Sequence, residues 1–554
     1  MPRRSVFRQA ASVATPHRVP LVTTMQNRDE STDKDARLVN CFAELEPVSK
    51  EYWVEKRPGL TEFAQLSGQG NGMYNWQGDL YAVFGATLYK NQVAFGTVDN
   101  SHGYVFTEML GTGWLVLGNG VRAYYTDGVT LEELQRYSAV YAGDLVTGET
   151  YEIIDAGTSD FTLIGAGDNN SGTQFIASGP GDPLTTGYVA LVAVSLLEGV
   201  TYEIQATGTT DFTLVGAADS LPGTIFTATG AGTGTGTVYL PNFPSSFVKG
   251  WAYLDGTLYV MDSDAQIWGT STLSFGGIGG LDDPRIWDPL NMIVARSEPD
   301  HGVALRKHLT YVMAFKQWTV EAFYDAGNAT GSPLRPVQGA LCIHGCASAD
   351  SIQSIDGTLL WLTFNRTVSP QVARMDDLRA TIISTPPIER LLDQIAFTHI
   401  HSWTFKHGGH RFYGLTIVTS NLTLVYDLDQ NLWYHWTDAN GDYWPITDKS
   451  YTSINKHALQ HESNGKIYLS EGDYEMPNDD GVTVPVDIYT ANFDAGIDRR
   501  KQLNIMRFNA DQYPGSKLFI RCSDDDYQNW TNYREVSLET KRPILTDCGT
   551  FDRT

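Results

Sequence analysis

The densest group of side chains with metal-binding chemistry is a set of four histidines, His399, His401, His407 and His410. His399 and His401 are two residues apart, so both side chains lie on one face if this segment is a strand. The other two flank Gly408-Gly409, a pair typical of a turn. Imidazole binds transition metals, but no cysteine or carboxylate completes a recognised ligand spacing here. We therefore expect histidines of a turn and an interface, and we predict no metal ligand.

The cysteines bear on two questions: whether the chain has a zinc-binding motif, and whether it assembles in a reducing or an oxidising compartment. The stretch Cys342-Ile343-His344-Gly345-Cys346 has a spacing that differs from that of a common zinc knuckle. The chain has 5 cysteines, an odd number scattered over 554 residues, so the sequence implies no disulfide framework. This pattern suits assembly in a reducing cytoplasm. Residues 1–8 are basic without the apolar run of a signal peptide, and we expect no segment that spans a membrane.

Glycoside hydrolysis would require two carboxylates that converge in one pocket. The candidates are Asp282-Asp283, Asp376-Asp377 and the run Asp524-Asp525-Asp526. All three stand in predicted loops, where solvated acidic faces are the commoner explanation. We predict no catalytic residue and no cofactor-binding residue, and we expect that the chain is not an enzyme.

Two further features bear on carbohydrate chemistry. Residues 523–530 are similar to the Asp-box turn, with Tyr527 where that motif has glycine, and this turn stabilises a hairpin rather than indicating catalysis. Trp433 and Trp436 would stack on sugars if they were exposed, or would fill a core if they were buried. Carbohydrate binding therefore stays open as an alternative.

The elements that must position these residues are short β-rich runs joined by tight turns. Residues 251–261 are two such runs joined at Asp255-Gly256, a strong hairpin signal because both positions tolerate positive φ. Similar turns recur at Asn119-Gly120, Asp356-Gly357 and Asn464-Gly465. Aromatic residues make up 12% and glycines number 53, as expected for short strands and turns. The repetition predicts an all-β fold, a β-propeller of roughly six or seven blades, with a pair of β-sandwiches as the rival architecture.

Changes in pattern divide the chain into five predicted segments. One short helix is predicted at 388–395, after the stop signal Pro386-Pro387. Arg3, Arg4 and Arg8 are expected to contact a neighbouring subunit rather than DNA. The segments are an extended N-terminal arm (1–60), the first part of the propeller (61–139), inserted tandem β-repeat modules (140–245), the second part of the propeller (246–486) and a C-terminal β-rich segment (487–554).

The insertion contains an internal repeat. Residues 148–181 align without gaps to residues 199–232 at an offset of 51, with 20 of 34 positions identical. Apolar residues alternate with Thr and Asp between glycines, which indicates short antiparallel strands. We therefore predict two small β-modules grafted onto a propeller loop, with a Gly/Thr-rich return linker at 230–236, and we expect the propeller to fold without them.

The net charge is −25, from 64 acidic and 39 basic residues. A field of this sign repels phosphate, so we do not expect binding of a DNA duplex by counterion release over most of the surface. Solubility alone would explain the charge, whereas an acidic wall would also keep passing DNA from adhering.

A family resemblance rests on short motifs and on their order along the chain. The motifs are Arg37-Leu38-Val39-Asn40, Arg57-Pro58-Gly59, Trp287 with Glu298-Pro299-Asp300, Glu321-Ala322-Phe323-Tyr324, Gly345-Cys346-Ala347, Gly408-Gly409-His410-Arg411-Phe412-Tyr413, and Tyr426-Asp427 with Trp433-Tyr434-His435-Trp436. In this order they resemble the packaged-DNA-stabilisation, or tail hub (nozzle), proteins of short-tailed bacteriophages, over roughly 37–135 and 250–540. The repeat is similar to small β-modules inserted in various phage virion proteins.

This resemblance implies a structural virion protein with no catalytic residues. Such a protein forms a ring below the portal, typically of six subunits, which retains packaged DNA and conducts it during ejection. The implied partners are copies of itself, the portal or an adaptor ring, and tail fibres or spikes, with DNA only as cargo. The implied location is the virion tail, after assembly in the host cytoplasm. A carbohydrate-binding or glycosidase β-propeller is the alternative function.

Overall fold

The computed structural model describes most of the chain. The described residues are 17–22, 25, 36–48, 50–109, 113–134, 140–182, 185–198, 201–239, 243–244, 246–271, 274–275, 278–279, 281–285, 287–328, 331–452, 456–471, 478–496, 499–551 and 554. Arg3, Arg4 and Arg8, for which a subunit contact is predicted, lie outside them. The chain divides into a larger unit, 60–423 with 443–471, and a smaller unit, 1–59 with 424–442 and 472–554.

Seven small antiparallel sheets follow one another along the chain as the blades of a β-propeller. Blade 1 contains Gly70–Trp76, Asp79–Phe84, Thr87–Lys90 and Val93–Thr97. Blade 2 contains Val105–Met109, Trp114–Gly118, Ala123–Thr126 and Leu131–Glu133. Blade 3 contains Ala252–Leu254, Thr257–Met261, Gln266–Thr270 and Trp287–Val294. Blade 4 contains Gly302–His308, Tyr311–Lys316, Val320–Asp325 and Leu334–Pro336.

The remaining blades come after residue 340. Blade 5 contains Gly345–Cys346, Gln353–Ile355, Thr358–Phe364, Val372–Asp376 and Arg379–Ile382. Blade 6 contains Ile400–His407, His410–Ile417, Leu422–Asp427 and Leu432–His435. Blade 7 contains Ile446–Tyr451, His457–His461, Lys466–Glu471 and, from the start of the chain, Gly59–Gln65. The predicted all-β propeller is confirmed with seven blades, and the rival pair of sandwiches is wrong.

The N-terminal strand Gly59–Gln65 completes the last blade and so closes the propeller. Beyond the strand, the Leu66 N–H donates to the Gly465 carbonyl at 2.7 Å, and the Gln65 amide donates to the Asn464 carbonyl at 2.8 Å. Ala64 is buried in the apolar cluster that blade 7 shares with blade 1. A strand from one end of the chain thereby holds the last blade to the first.

The hairpin turns confirm the local sequence signals. At Asp255-Gly256 the φ angles are 48° and 85°, and at Asp356-Gly357 they are 49° and 75°. Two successive positive φ angles produce the turn that matches the twist of paired strands, and Asp-Gly adopts it at little cost. Each turn therefore fixes the register of its hairpin.

Apolar cores lie between consecutive blades. Leu115 and Leu117 pack with blade 1 side chains, whereas Val116, on the opposite face of the same strand, packs with blade 3. Each blade thus buries both faces, as period-two alternation in a stacked sheet requires. The clusters pair blade 1 with 2, blade 2 with 3, blade 3 with 4, blade 4 with 5, and blade 7 with 1.

The insertion between blades 2 and 3 forms one sheet of seven strands. Asp160 and Asp211 occupy equivalent places at the offset of 51, and each caps a short 3-10 helix. The core cluster of the insertion consists entirely of residues between 140 and 238. The strands are Val140–Tyr141, Thr150–Asp155, Gln174–Ile176, Tyr188–Val192, Thr201–Ala206, Ile225–Thr227 and Thr237–Tyr239.

The smaller unit is also built from strands. Arg37–Val39 pairs with Asp487–Tyr489, and Cys41–Leu45 pairs with Tyr52–Lys56. The C-terminal part contains two further pairs, Lys501–Arg507 with Ile544–Phe551 and Lys517–Ile520 with Arg534–Ser537. One more two-stranded pair, Ser274–Phe275 with Ile278–Gly279, belongs to the larger unit.

The predicted helix exists but its bounds were wrong. It spans Pro386–Leu392 rather than 388–395, because proline is tolerated in the first turn, where its missing N–H has no intrahelical partner. The described residues contain no helix long and apolar enough to cross a membrane. Short 3-10 helices occur at Ala142–Asp144, Phe161–Ile164, Ala193–Ser195, Phe212–Val215, Ala349–Ser351 and Val418–Ser420.

Candidate functional site

Two motif carboxylates converge on a lysine that the motifs do not include. The Lys316 side chain is fully buried at the end of the strand Tyr311–Lys316. Its Nζ lies 2.8 Å from Asp300 Oδ1 and 2.6 Å from Glu321 Oε1. It also donates to the Glu298 carbonyl at 2.8 Å. One buried ammonium thus compensates two buried carboxylates that would be costly without it.

Further donors satisfy both carboxylates. Glu321 accepts the Ser297 N–H at 3.0 Å and the Ser297 hydroxyl at 2.8 Å. Asp300 accepts the backbone N–H groups of Trp318 at 2.8 Å and Thr319 at 3.0 Å. This cluster ties the loop before blade 4 to the hairpin inside it, so these motif residues have a structural role.

The motifs at Asn40 and Arg57 form a similar network within the smaller unit. Arg57 is buried and binds Asp479 through two hydrogen bonds, of 3.0 and 2.6 Å. Asn40 accepts from Arg57 Nε at 3.1 Å and from the Thr437 N–H at 2.7 Å. A guanidinium held in two-point contact fixes geometry, which again indicates a structural role.

Gly345 shows why one motif position excludes a side chain. A Cβ at this glycine would lie 2.3 Å from the Gln317 carbonyl oxygen. The Gly345 carbonyl accepts the indole N–H of the buried Trp361 at 3.0 Å. The glycine therefore permits close packing of blade 5 on blade 4.

The two tryptophans considered for sugar stacking are core residues. Trp433 is 3% exposed and Trp436 is 0% exposed. Trp433 packs on Tyr426 with ring centroids 5.0 Å apart. Neither indole offers a face to a sugar, so the core interpretation is correct for both.

The four histidines do not form one group. His407 and His410 are opposite each other at the hairpin turn of blade 6, and the buried His410 ring stacks on Phe412 with centroids 5.8 Å apart. His399 and His401 lie at the other end of that strand, with ring centroids 4.8 Å apart. The structure thus places His407 and His410 at a turn, and it places His399 and His401 next to each other at the opposite end of the strand.

The carboxylate that the sequence did not supply near His399 and His401 comes from blade 7. Glu462 follows the strand His457–His461, and its Oε1 lies 3.5 Å from His399 Nε2 and 3.4 Å from His401 Nε2. Its other oxygen, Oε2, accepts the Tyr443 hydroxyl at 2.5 Å. No local spacing could reveal this group, because Glu462 is 61 residues from His401.

Electrostatics keeps this cluster in a defined charge state. Burial alone would raise the pKa of Glu462, but contacts with His401 and Tyr443, and the charge of His399, lower it to about 2. Burial, followed by the neighbouring His401, lowers the pKa of His399 against the opposing effect of Glu462. Near neutral pH the cluster therefore presents a carboxylate beside a neutral His399 imidazole.

The remaining candidates are occupied by local contacts. Burial raises the pKa of Cys346 to about 12, and its thiol donates to the Ser348 carbonyl at 3.2 Å. All five cysteines are free. Asp283 pairs with Arg285 at 2.7 Å. In the Asp box, Asp525 accepts the Asn529 N–H at 2.8 Å, as expected for a hairpin-stabilising turn.

The motif residues around Lys316 and Arg57 therefore make internal ion pairs and hydrogen bonds within a seven-bladed propeller chain. Residues 252–469 match the family model described as bacteriophage P22 Gp10, beta-propeller. Over these residues, the match confirms the resemblance to a family of bacteriophage structural proteins that the motif order predicted. No curated protein sequence matches the chain.

The solved structures that match this chain share little sequence with it. The extracellular domain of a hybrid two-component system from B. thetaiotaomicron has 9% identity and a TM-score of 0.37, over 75% of this chain and 40% of that chain. BamB from Moraxella catarrhalis has 10% identity and a TM-score of 0.31, over 74% of this chain and 99% of that chain. The match therefore spans less than half of the first of these proteins, and TM-scores this low leave the assignment to the family model alone.

Proposed function

We propose that this chain is a structural tail protein of a short-tailed phage that assembles as a ring below the portal and has no catalytic role. The observation that carries the proposal is the family match across blades 3 to 7, residues 252–469. The ring, for which six subunits is the expected number, retains packaged DNA and conducts it during ejection.

The internal chemistry supports an assembly role. The motif clusters around Lys316 and Arg57 hold polypeptide segments together and are buried, so substrates do not reach them. The net charge of −25 suits a protein whose surface lies close to DNA without binding it, since like charges prevent adhesion. DNA is therefore cargo in this proposal.

The insertion offers a surface for a partner such as a fibre or spike. Leu163 and Leu214 occupy equivalent positions in the two repeats, and they are 79% and 77% exposed. A large apolar side chain left in water twice, in the same place, suits a contact that forms on assembly.

Five free cysteines suit assembly in the host cytoplasm before incorporation into the virion tail.

The proposal is tested by mixing the purified full chain with the portal ring of the same phage and separating the complexes by density-gradient sedimentation. Co-migration with the portal at a fixed stoichiometry is expected. Separate migration under all assembly conditions would contradict a position below the portal.

A separate experiment tests the alternative that the protein binds carbohydrate. A glycan array probed with the same preparation should give no saturable binding. Binding by a monomer that ignores the portal would favour the alternative instead.

A further inference from the structure

The side chains of His399, His401 and Glu462 bring three atoms that can bind a metal close together. The atoms that these three side chains offer all lie within 4.8 Å of one another. His401 is in the strand Ile400–His407 and His399 immediately precedes that strand, and their rings lie side by side with centroids 4.8 Å apart. Glu462 enters from blade 7, directly after the strand His457–His461.

The two distances from the carboxylate oxygen to the imidazoles are long for hydrogen bonds and suit shared coordination. Glu462 Oε1 lies 3.5 Å from His399 Nε2 and 3.4 Å from His401 Nε2. An N–H···O hydrogen bond is usually about 2.9 Å long. Ligand atoms about 2.0–2.1 Å from a tetrahedral zinc ion are roughly 3.3 Å apart, which is close to both observed values.

The carboxylate is held in the orientation that a ligand needs. The Tyr443 hydroxyl donates to Glu462 Oε2 at 2.5 Å, which leaves Oε1 directed at the imidazoles. On the backbone, the Glu462 N–H donates to the Pro445 carbonyl at 2.9 Å, and its carbonyl accepts the Gly70 N–H at 2.8 Å. Partners of this kind, outside the ligands themselves, are typical of metal sites.

We propose that His399, His401 and Glu462 bind one divalent transition-metal ion of the zinc class. Two imidazole nitrogens and one carboxylate oxygen are a donor set that zinc uses, whereas calcium and magnesium require more oxygen ligands. The His399 side chain is 42% exposed, so solvent reaches the site and supplies the fourth ligand. The expectation of no metal ligand rested on a missing carboxylate, and Glu462 removes that reason.

The ion would link blade 6 to blade 7. Blade 7 also contains the N-terminal strand that closes the propeller, so a ligand shared across this pair of blades stabilises the closure. Because the ion binds the folded chain and its ligands are far apart in sequence, its binding raises the melting temperature.

The experiment is a zinc titration of the full chain after treatment with EDTA, followed by calorimetry. One equivalent of zinc should bind, and calcium should not compete. His399→Gln should lower the zinc affinity at least about tenfold, and Tyr443→Phe, which only frees Oε2, should lower it about tenfold or somewhat more. The matched control, His102→Gln at an exposed histidine, should bind zinc as the natural chain does.

Glu462→Gln keeps the size of the side chain and an acceptor for Tyr443, so it tests the carboxylate without emptying the site. Cobalt should give d–d absorption without a sulfur charge-transfer band, which distinguishes this site from the half-buried Cys522 and Cys548. Absence of saturable zinc binding would overturn the proposal. So would a sulfur band, or equal zinc binding by His399→Gln and the natural chain.

Discussion

Lys316 Nζ lies 2.6 Å from Glu321 Oε1 inside blade 4, with 0% and 4% of the two side chains exposed. Asp300 Oδ1 lies 2.8 Å from the same Nζ, and among the described residues Lys316 is the only cation within ion-pair distance of either carboxylate. The motif residues Asp300 and Glu321 therefore form an ion cluster with Lys316 inside the protein. Its removal should therefore affect stability rather than any surface property.

Lys316→Ala should lower the free energy of unfolding of the propeller by about 3–5 kcal/mol, because it leaves two buried carboxylates without their cation. Urea unfolding followed by tryptophan fluorescence measures the change. The control is Lys406→Ala, which breaks a half-exposed pair with Asp356 and should cost less than about 1 kcal/mol. Equal losses in the two variants would show that the buried cluster is not important.

The closing strand gives a second prediction. Ala64→Asp should destabilise the chain by about 3 kcal/mol or more, because it places an unpaired carboxylate in the core between blades 7 and 1. Thermal unfolding measures this effect. Glu62→Gln, in the same strand, removes only a partly exposed pair with Lys466 and should change the free energy by less than about 1 kcal/mol. Tolerance of Ala64→Asp would mean that this strand does not close the propeller.

Acid sensitivity should depend on His457. Burial, together with the charges of Lys449, His407 and Lys406, lowers its pKa from 6.5 to about 4. The unfolded chain therefore takes up the proton first as the pH falls, and this histidine's contribution to stability is complete above pH 6.5 and is lost towards about pH 4.

His457→Gln should flatten the dependence of the melting temperature on pH between 6.5 and about 4. The His457 ring also packs against Tyr451 and Phe405, so an overall shift in stability is compatible with the prediction and only the slope decides it. His102→Gln, at an exposed position, should keep the slope of the natural chain. An unchanged slope in His457→Gln would contradict the assignment.

The insertion should be removable. Its core cluster uses only residues between 140 and 238, so replacing 140–239 with a short Gly/Ser linker should shift the melting temperature of the propeller by less than about 3 °C. Circular dichroism and differential scanning calorimetry measure the outcome. Loss of cooperative unfolding after the deletion would show that the propeller depends on the insertion.

Local signals predicted much of the fold. Turns such as Asp255-Gly256 specify hairpins through two positive φ angles, and such signals are visible within a few residues. The sequence predicts six or seven blades without deciding between them, because the count depends on the pairing of Gly59–Gln65 with Lys466–Glu471. These strands are about 400 residues apart, and no local pattern encodes their pairing. The sequence predicts the start of the helix two residues late, since Pro386-Pro387 is a stop signal in the sequence but proline also begins helices.

The two clusters of charged and histidine side chains are harder to predict from the sequence, because their members also come from distant parts of the chain. The motifs included Asp300 and Glu321, yet the cation between them is an ordinary lysine in a buried strand. His399 and His401 were identified from their spacing, but Glu462 joins them only through the packing of blade 7 beside blade 6. A cluster whose residues come from different blades can be identified only from the tertiary structure.

The most direct test of the central claim is the native mass of the purified full chain, measured by light scattering and by electron microscopy in the presence and absence of the portal ring. A closed ring, formed by the chain alone or on the portal, is the predicted result. A monomer that stays monomeric with the portal present would contradict the account of this protein as a structural ring of the phage tail.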